Sequence, residues 1–346
     1  MVSIGGDARP YVDPELAALV EANPPDVNAD FCVWREASEA AFVEPPLPAG
    51  YVRESRYVAS FRLPTSAPQG ASEPAEPAAH SEPEPTGRDV EVRVIAREGV
   101  PAGAVMFVIH GGGYVAGRAK FEDARCLELI AEFSEYLWPG GEKALVTAAP
   151  DYALAPDYPH PGGLEDTATA LRAVFEWFEG VPVVLYGDSA GSGMIRQLLA
   201  RLSDAELARL AGVIALEPCL SARMDTGSFE TYAGAATWSR EAAEFSWDAY
   251  FAPGTDRGVI EPPISQVSAG FPLVWIGVNP VDTLRDEGIA WYTALADAGA
   301  KVELHAFPGT FHGWLAGLGT RSWARVKESL RPFLADAVEE WEWRRG

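Results

Sequence analysis

Apolar and polar residues fall along this chain in two kinds of block. Short apolar runs occupy residues 104–109, 144–148, 181–186, 212–216, 272–277 and 301–307. Each is too short for a buried helix and bounded by turn formers, so each reads as a buried strand. Between them the apolar positions recur at helical spacing, over 121–136, 164–179, 190–202, 286–298 and 322–343. Strand and helix in alternation predict a doubly wound, mostly parallel sheet with helices on both faces. Ahead of it, residues 51–63 and 89–96 alternate apolar and polar side chains, which predicts an antiparallel hairpin and about eight strands in all.

Three stretches break the alternation. Residues 66–88 are rich in Pro, Ala, Glu and Ser and lack any large apolar side chain, so they predict a disordered loop at the tip of the hairpin, not a domain boundary. A helical segment near the start, from about 13 to 43, and an insertion at 221–262 after the sixth strand are both rich in aromatics. Phe31, Trp34 and Phe42 from the first, with Trp238, Phe245, Trp247 and Tyr250 from the second, predict a helical cap over the carboxyl ends of the strands, where sites in α/β sheets lie. About half of these aromatics are expected to be ordinary core. The chain reads as one domain, 1–346, capped by about 1–45 and 221–262.

Composition narrows the function. With 346 residues and 48 % hydrophobic content the chain can bury a large core. A formal net charge of −23 repels nucleic-acid phosphates and anionic headgroups, which argues against both as partners. Cys32, Cys126 and Cys219 are odd in number and unpaired in spacing, as reduced core thiols would be. No basic start followed by an apolar run resembles a signal peptide, and no run approaches the ~20 apolar residues of a membrane span. A soluble cytoplasmic protein is expected, with no metal-ligand spacing among its Cys and His residues.

The strongest chemical signal is Gly187-Asp188-Ser189-Ala190-Gly191, a Gly-x-Ser-x-Gly placed where the strand 181–186 gives way to a helix. A sharp turn there strains the Ser189 backbone and lifts its hydroxyl clear of the sheet. Glycine on either side avoids the collisions that side chains would cause. The second signal is His110-Gly111-Gly112-Gly113-Tyr114, at the end of the strand 104–109. Consecutive glycines expose backbone N–H groups, and those of Gly111, Gly112 and Ala190 are candidate donors to an oxyanion. His110 itself is expected to hold its loop. Tyr114, with Trp34 and Trp238 from the extra segments, is a candidate substrate contact.

With Asp151-Tyr152-Ala153-Leu154-Ala155-Pro156 between them, these motifs resemble the hormone-sensitive-lipase-like branch of the α/β-hydrolases over residues 89–320. The resemblance implies an α/β-hydrolase fold and a Ser-Asp-His order along the chain. It places the acid at Asp282, in Asp282-Thr283-Leu284-Arg285-Asp286-Glu287. Asn279-Pro280-Val281 lengthens the turn before it, which leaves Asp286 open as an alternative; otherwise Asp286 and Glu287 simply favour a helix start. Of five histidines, His80 lies in the polar loop, His110 and His160 in other loops and His305 in the last strand, which leaves His312 as base.

The implied reaction is acyl transfer through an acyl-serine, without metal or organic cofactor. A carboxylesterase for small, short- to medium-chain acyl esters is the expectation, monomeric or homodimeric. An acyltransferase or a lactone or amide hydrolase would use the same residues. A non-catalytic small-molecule receptor of the same fold is disfavoured by the presence of Ser189, Asp282 and His312 together.

Overall fold

A computed structural model describes residues 12–22, 31–63, 84–262, 267–268 and 270–346. Its centre is an eight-stranded sheet in the order β1-β2-β4-β3-β5-β6-β7-β8. The strands are β1 Tyr51–Phe61, β2 Pro85–Arg97, β3 Ala102–Ile109, β4 Ala144–Pro150, β5 Val183–Asp188, β6 Leu210–Leu216, β7 Leu273–Val278 and β8 Val302–Ala306. β1 and β2 form the antiparallel hairpin, β2 runs antiparallel to β4, and every later pairing is parallel. The doubly wound sheet with its leading hairpin is therefore as expected.

The reason is visible in the burial of each strand. β4, β5, β6 and β7 are buried at every residue, as strands covered on both faces must be, whereas β1 alternates. One face of the sheet packs Phe107, Leu185, Val213 and Ile276 against α4 Gly162–Trp177, α5 Ala190–Leu199 and α9 Arg285–Asp297. The other packs Met106, Val184, Ile214 and Trp275 against α3 Asp123–Leu137 and α10 Arg321–Arg345. The ends of these helices fall within a few residues of the periodic stretches, as apolar periodicity would have them.

The hairpin is longer than its composition suggested. Pro85–Arg88, assigned above to the disordered loop, are the first residues of β2 and pair back toward Phe61. Backbone pairing and the Arg88 guanidinium, 2.7 Å from buried Asp166, hold a segment that has no large apolar side chain of its own. Residues 66–83 of that loop lie outside the described residues.

The two aromatic-rich segments are helical. The first holds α1 Ala17–Ala22 and α2 Phe31–Ala41; the second holds α7 Gly227–Thr231, α8 Arg240–Tyr250 and a 3₁₀ turn at Arg257–Ile260, while α6 Asp204–Leu207 is a short helix ahead of β6. They touch, since Trp34 meets Phe245 edge to face with centroids 6.1 Å apart. Trp247 and Tyr250, by contrast, are core: both are buried, packed around Tyr114. The side chains of Phe31 and Cys32 lie outside the described residues. Among the described residues no helix is long and apolar enough to cross a membrane.

One polar cluster fastens the hairpin to the helical layer. Asp123, at the start of α3, accepts from Arg93 at 2.7 Å and Arg53 at 2.9 Å, and its carboxylate is only 2 % exposed. Asp123→Ala removes the buried partner of both guanidinium groups, leaves them to the more exposed Glu44 and should lower stability by ~2 kcal/mol, read as a lower urea midpoint. A loss under ~1 kcal/mol would show that packing alone holds the hairpin.

Candidate active site

Ser189 occupies the turn from β5 into α5. Its backbone sits at φ 53°, ψ −113°, outside the ordinary helical and extended regions, which turns its side chain away from the line of the strand. Neighbouring segments explain why glycine flanks it. A Cβ on Gly191 would lie 2.1 Å from the carbonyl oxygen of Ile109, and one on Gly187 would lie 2.6 Å from the carbonyl carbon of Gly191. The turn is thus compressed between β3 and its own helix, and any side chain there would force it open.

His312 and Asp282 come from two loops at the same edge of the sheet. A parallel bridge between Val281 and Phe311 joins those loops just before each functional residue. The Oγ of Ser189 lies 2.9 Å from His312 Nε2, and His312 Nδ1 lies 2.9 Å from Asp282 Oδ2. All three side chains are buried. Asp282 also accepts the Leu284 N–H at 2.9 Å and the Asn279 amide at 3.0 Å. Asp286 faces elsewhere, accepting the Ser228 N–H at 2.8 Å and pairing with Arg285.

The glycine loop lies beside Ser189: a Cβ on Gly111 would be 3.5 Å from Ser189 Cβ. Ala190 follows Ser189 as the first residue of α5, and Gly112 opens the turn through Gly113 to Ala116, its carbonyl accepting the N–H groups of Val115 and Ala116. His110 is turned away. Its Nδ1 donates to the Gly111 carbonyl at 2.8 Å and its ring stacks on Tyr152 with centroids 4.1 Å apart, the loop-holding role expected of it. Of the candidate substrate contacts, Trp238 is near the chemistry, its ring 5.7 Å from that of His312. Tyr114 is 1 % exposed, with its hydroxyl donating to the Cys219 carbonyl at 2.9 Å, so it supports the loop from within the core. Trp34 sits farther out, against Phe245.

Residues 106–316 match the family model described as the alpha/beta hydrolase fold. The chain belongs to this family, in its hormone-sensitive-lipase-like branch. It is 31 % identical over 244 residues to carboxylesterase NlhH of Mycobacterium tuberculosis, covering 66 % of this chain and 72 % of that protein. It is 30 % identical over 216 residues to versiconal hemiacetal acetate esterase of Aspergillus parasiticus, covering 59 % of this chain and 64 % of that one. Among solved structures, a bacterial heroin esterase superposes with a TM-score of 0.73 at 23 % identity, across 96 % of this chain and 99 % of its own, a likeness of fold.

Two residues of this α/β-hydrolase site escaped the motifs. Glu217, directly after β6, accepts from the Asn279 amide and, at 3.0 Å, from the Gly313 N–H. Asn279 belongs to the lengthened turn that left the acid open, and it contacts Asp282 itself. The available signal was a single carboxylate at the end of an otherwise apolar run, Leu210 to Leu216. Glu217, Asp282 and His312 also form the one grouping of metal-type ligands among the described residues, their atoms within 4.8 Å of one another. Each of those side chains is already engaged in the hydrogen bonds just described. Glu287 differs too from a simple helix-start acid: it is buried and accepts the N–H groups of Leu220 and Ser221 at 2.7 and 3.0 Å.

Burial by itself would lower the His312 pKa, but the charges of Asp282 and Glu217 and the Asp282 hydrogen bond outweigh it and raise the imidazole to about 9. Burial likewise opposes the charge of Asp282, yet His312 and the hydrogen bonds from it, Leu284 and Asn279 hold its carboxyl below the ordinary value. Burial and the charge of Asp188 push Glu217 well above the carboxylate range. His160, buried and near Arg201, is lowered to about 4. In an NMR titration His312 should therefore lose its proton near about 9 and His160 near about 4. Asp282→Asn removes the main raising charge and leaves burial, so the His312 midpoint should fall by at least ~1 unit. A midpoint below the ordinary 6.5 in the unaltered protein would contradict this electrostatic account.

Proposed function

We propose that this chain is a serine carboxylesterase that hydrolyses short- to medium-chain acyl esters through an acyl-serine intermediate. The observation that carries the reading is the unbroken buried relay from Ser189 Oγ through His312 to Asp282, with both links at 2.9 Å. Membership of the family and likeness to proteins named carboxylesterase and acetate esterase support the reaction class.

In this mechanism His312 Nε2 takes the Ser189 proton as Oγ attacks the ester carbonyl carbon. Asp282 holds the imidazole in the tautomer that leaves Nε2 free to accept, and its charge favours the imidazolium as it forms. The backbone N–H groups of Gly111, Gly112 and Ala190 receive the carbonyl oxygen as it becomes negative, and the N-terminus of α5 adds its positive dipole end. The imidazolium returns its proton to the departing alcohol. His312 then deprotonates a water that attacks the acyl-serine, releasing the acid and restoring the hydroxyl.

Helices α1, α2, α7 and α8 form the cap over this site in the proposal, with Trp238 as the wall nearest the reacting atoms. An indole held this close to His312 favours compact acyl groups over long ones.

Hydrolysis of p-nitrophenyl esters from acetate to dodecanoate tests the reading, with rates expected to be highest on short chains. Ser189→Ala should fold as the unaltered protein does and lose essentially all turnover; activity that persists would remove Ser189 as nucleophile. Asp282→Asn should reduce kcat by ~10³- to 10⁴-fold through loss of the correct tautomer. Asp286→Asn should change it less than about threefold, because its carboxylate serves the α7 contact. The reverse order would move the acid to Asp286.

A further inference from the structure

Glu217 sits where three parts of the site meet. Its backbone lies in the left-handed region at φ 39°, an uncommon state for a residue with a side chain. Its N–H donates to the Gly277 carbonyl at the end of β7 at 2.8 Å, and the preceding carbonyl, of Leu216, accepts the Ser189 N–H at 2.9 Å. The side chain is 1 % exposed and reaches both functional loops. Oε1 accepts the N–H of Gly313, the residue after His312, at 3.0 Å. Oε2 accepts from the Asn279 amide, which donates again to Asp282 Oδ2 at 3.0 Å.

We infer that Glu217 is a positioning residue for ester hydrolysis: by accepting one hydrogen bond from the His312 loop and one from the Asp282 loop, it fixes both against the Ser189 turn. The inference rests on the reading of Ser189 as nucleophile given above. The position requires two acceptors on one rigid group. A carboxyl supplies them whether or not it carries a proton. An amide cannot substitute. Its nitrogen would face either the Gly313 N–H or the Asn279 amide, donor against donor, in a site too buried for water to repair. Nor can Asn279 turn over to relieve the conflict, because its Oδ1 would then face the Asp282 carboxylate.

The test measures kcat and KM on p-nitrophenyl acetate, and the rate of Ser189 labelling by a fluorophosphonate, for the unaltered protein, Glu217→Gln, Asn279→Ala and the double variant. Glu217→Gln should lower kcat by ~10- to 100-fold while KM stays within about twofold, with labelling slowed by the same factor. Asn279→Ala should cost less in the Glu217→Gln background than alone, because the two act through each other. If Glu217→Gln does not fold, Asn279→Ala decides: a loss confined to kcat supports the inference, and an unchanged kcat overturns it. Normal kcat and labelling in Glu217→Gln, a change in KM alone, or additive effects would also overturn it, while labelling of the unaltered protein would leave the esterase reading standing. An unaltered protein that neither turns over ester nor takes the label would overturn both.

Discussion

The hydrogen bond between His312 and Asp282 is the contact around which the carboxyl-terminal edge of the sheet is arranged. An imidazole on a loop has two rotatable bonds and no reason to point at Ser189 unless something holds its far nitrogen. A carboxylate can do so only if it stays ionised where water is excluded, and burial works against that. The structure resolves the conflict by surrounding Asp282 with donors: the imidazole, the Leu284 N–H and the Asn279 amide. The Val281 and Phe311 bridge then fixes the two loops one residue before each partner. With those constraints met, the hydroxyl and the imidazole fall into register at 2.9 Å.

Charge is concentrated at this edge. Beneath Ser189, Asp188 pairs with Arg125, which also meets Glu122, and Glu217 and Asp282 complete a row of buried carboxyls. Four acidic groups share one fixed cation and one titratable imidazole. Such a row cannot be fully ionised in a low-dielectric setting, which is why Glu217 and Glu122 are pushed upward while Asp282, in direct contact with His312, is not. The arrangement stabilises His312 as an imidazolium, so its neutral, proton-accepting form grows as pH rises toward about 9.

Much of this was legible in the chain. The apolar runs gave the parallel sheet because a strand buried on both faces has no polar side to show, and the glycine spacing around residue 189 gave the turn because its crowding is local. The nearest misreading, Pro85–Arg88 as loop, came from treating composition as structure: those residues are held by backbone pairing and by an ion pair with a helix far along the chain, which no local pattern carries. Tyr114, which follows the glycines, packs against Tyr250 and Trp247, more than a hundred residues on, a placement that no local pattern carries.

The sequence by itself therefore determined the layers of the fold, the strained serine turn and the glycine loop beside it, and singled out one histidine of five. These depend on residues within a few positions of one another, or on periodicity that burial imposes strand by strand. Only the tertiary structure turned Asp282 toward His312 and Asp286 toward Ser228, brought Glu217 and Asn279 beside them, and placed Trp238 near His312 and Trp34 against Phe245. The two aspartates stand four positions apart, yet one faces the imidazole and the other faces α7, because the lengthened turn at Asn279 and the bridge to Phe311 set the direction of the loop. Direction of that kind comes from contacts between distant segments, and hydrogen bonds between loops leave no period in the chain for a reader to follow.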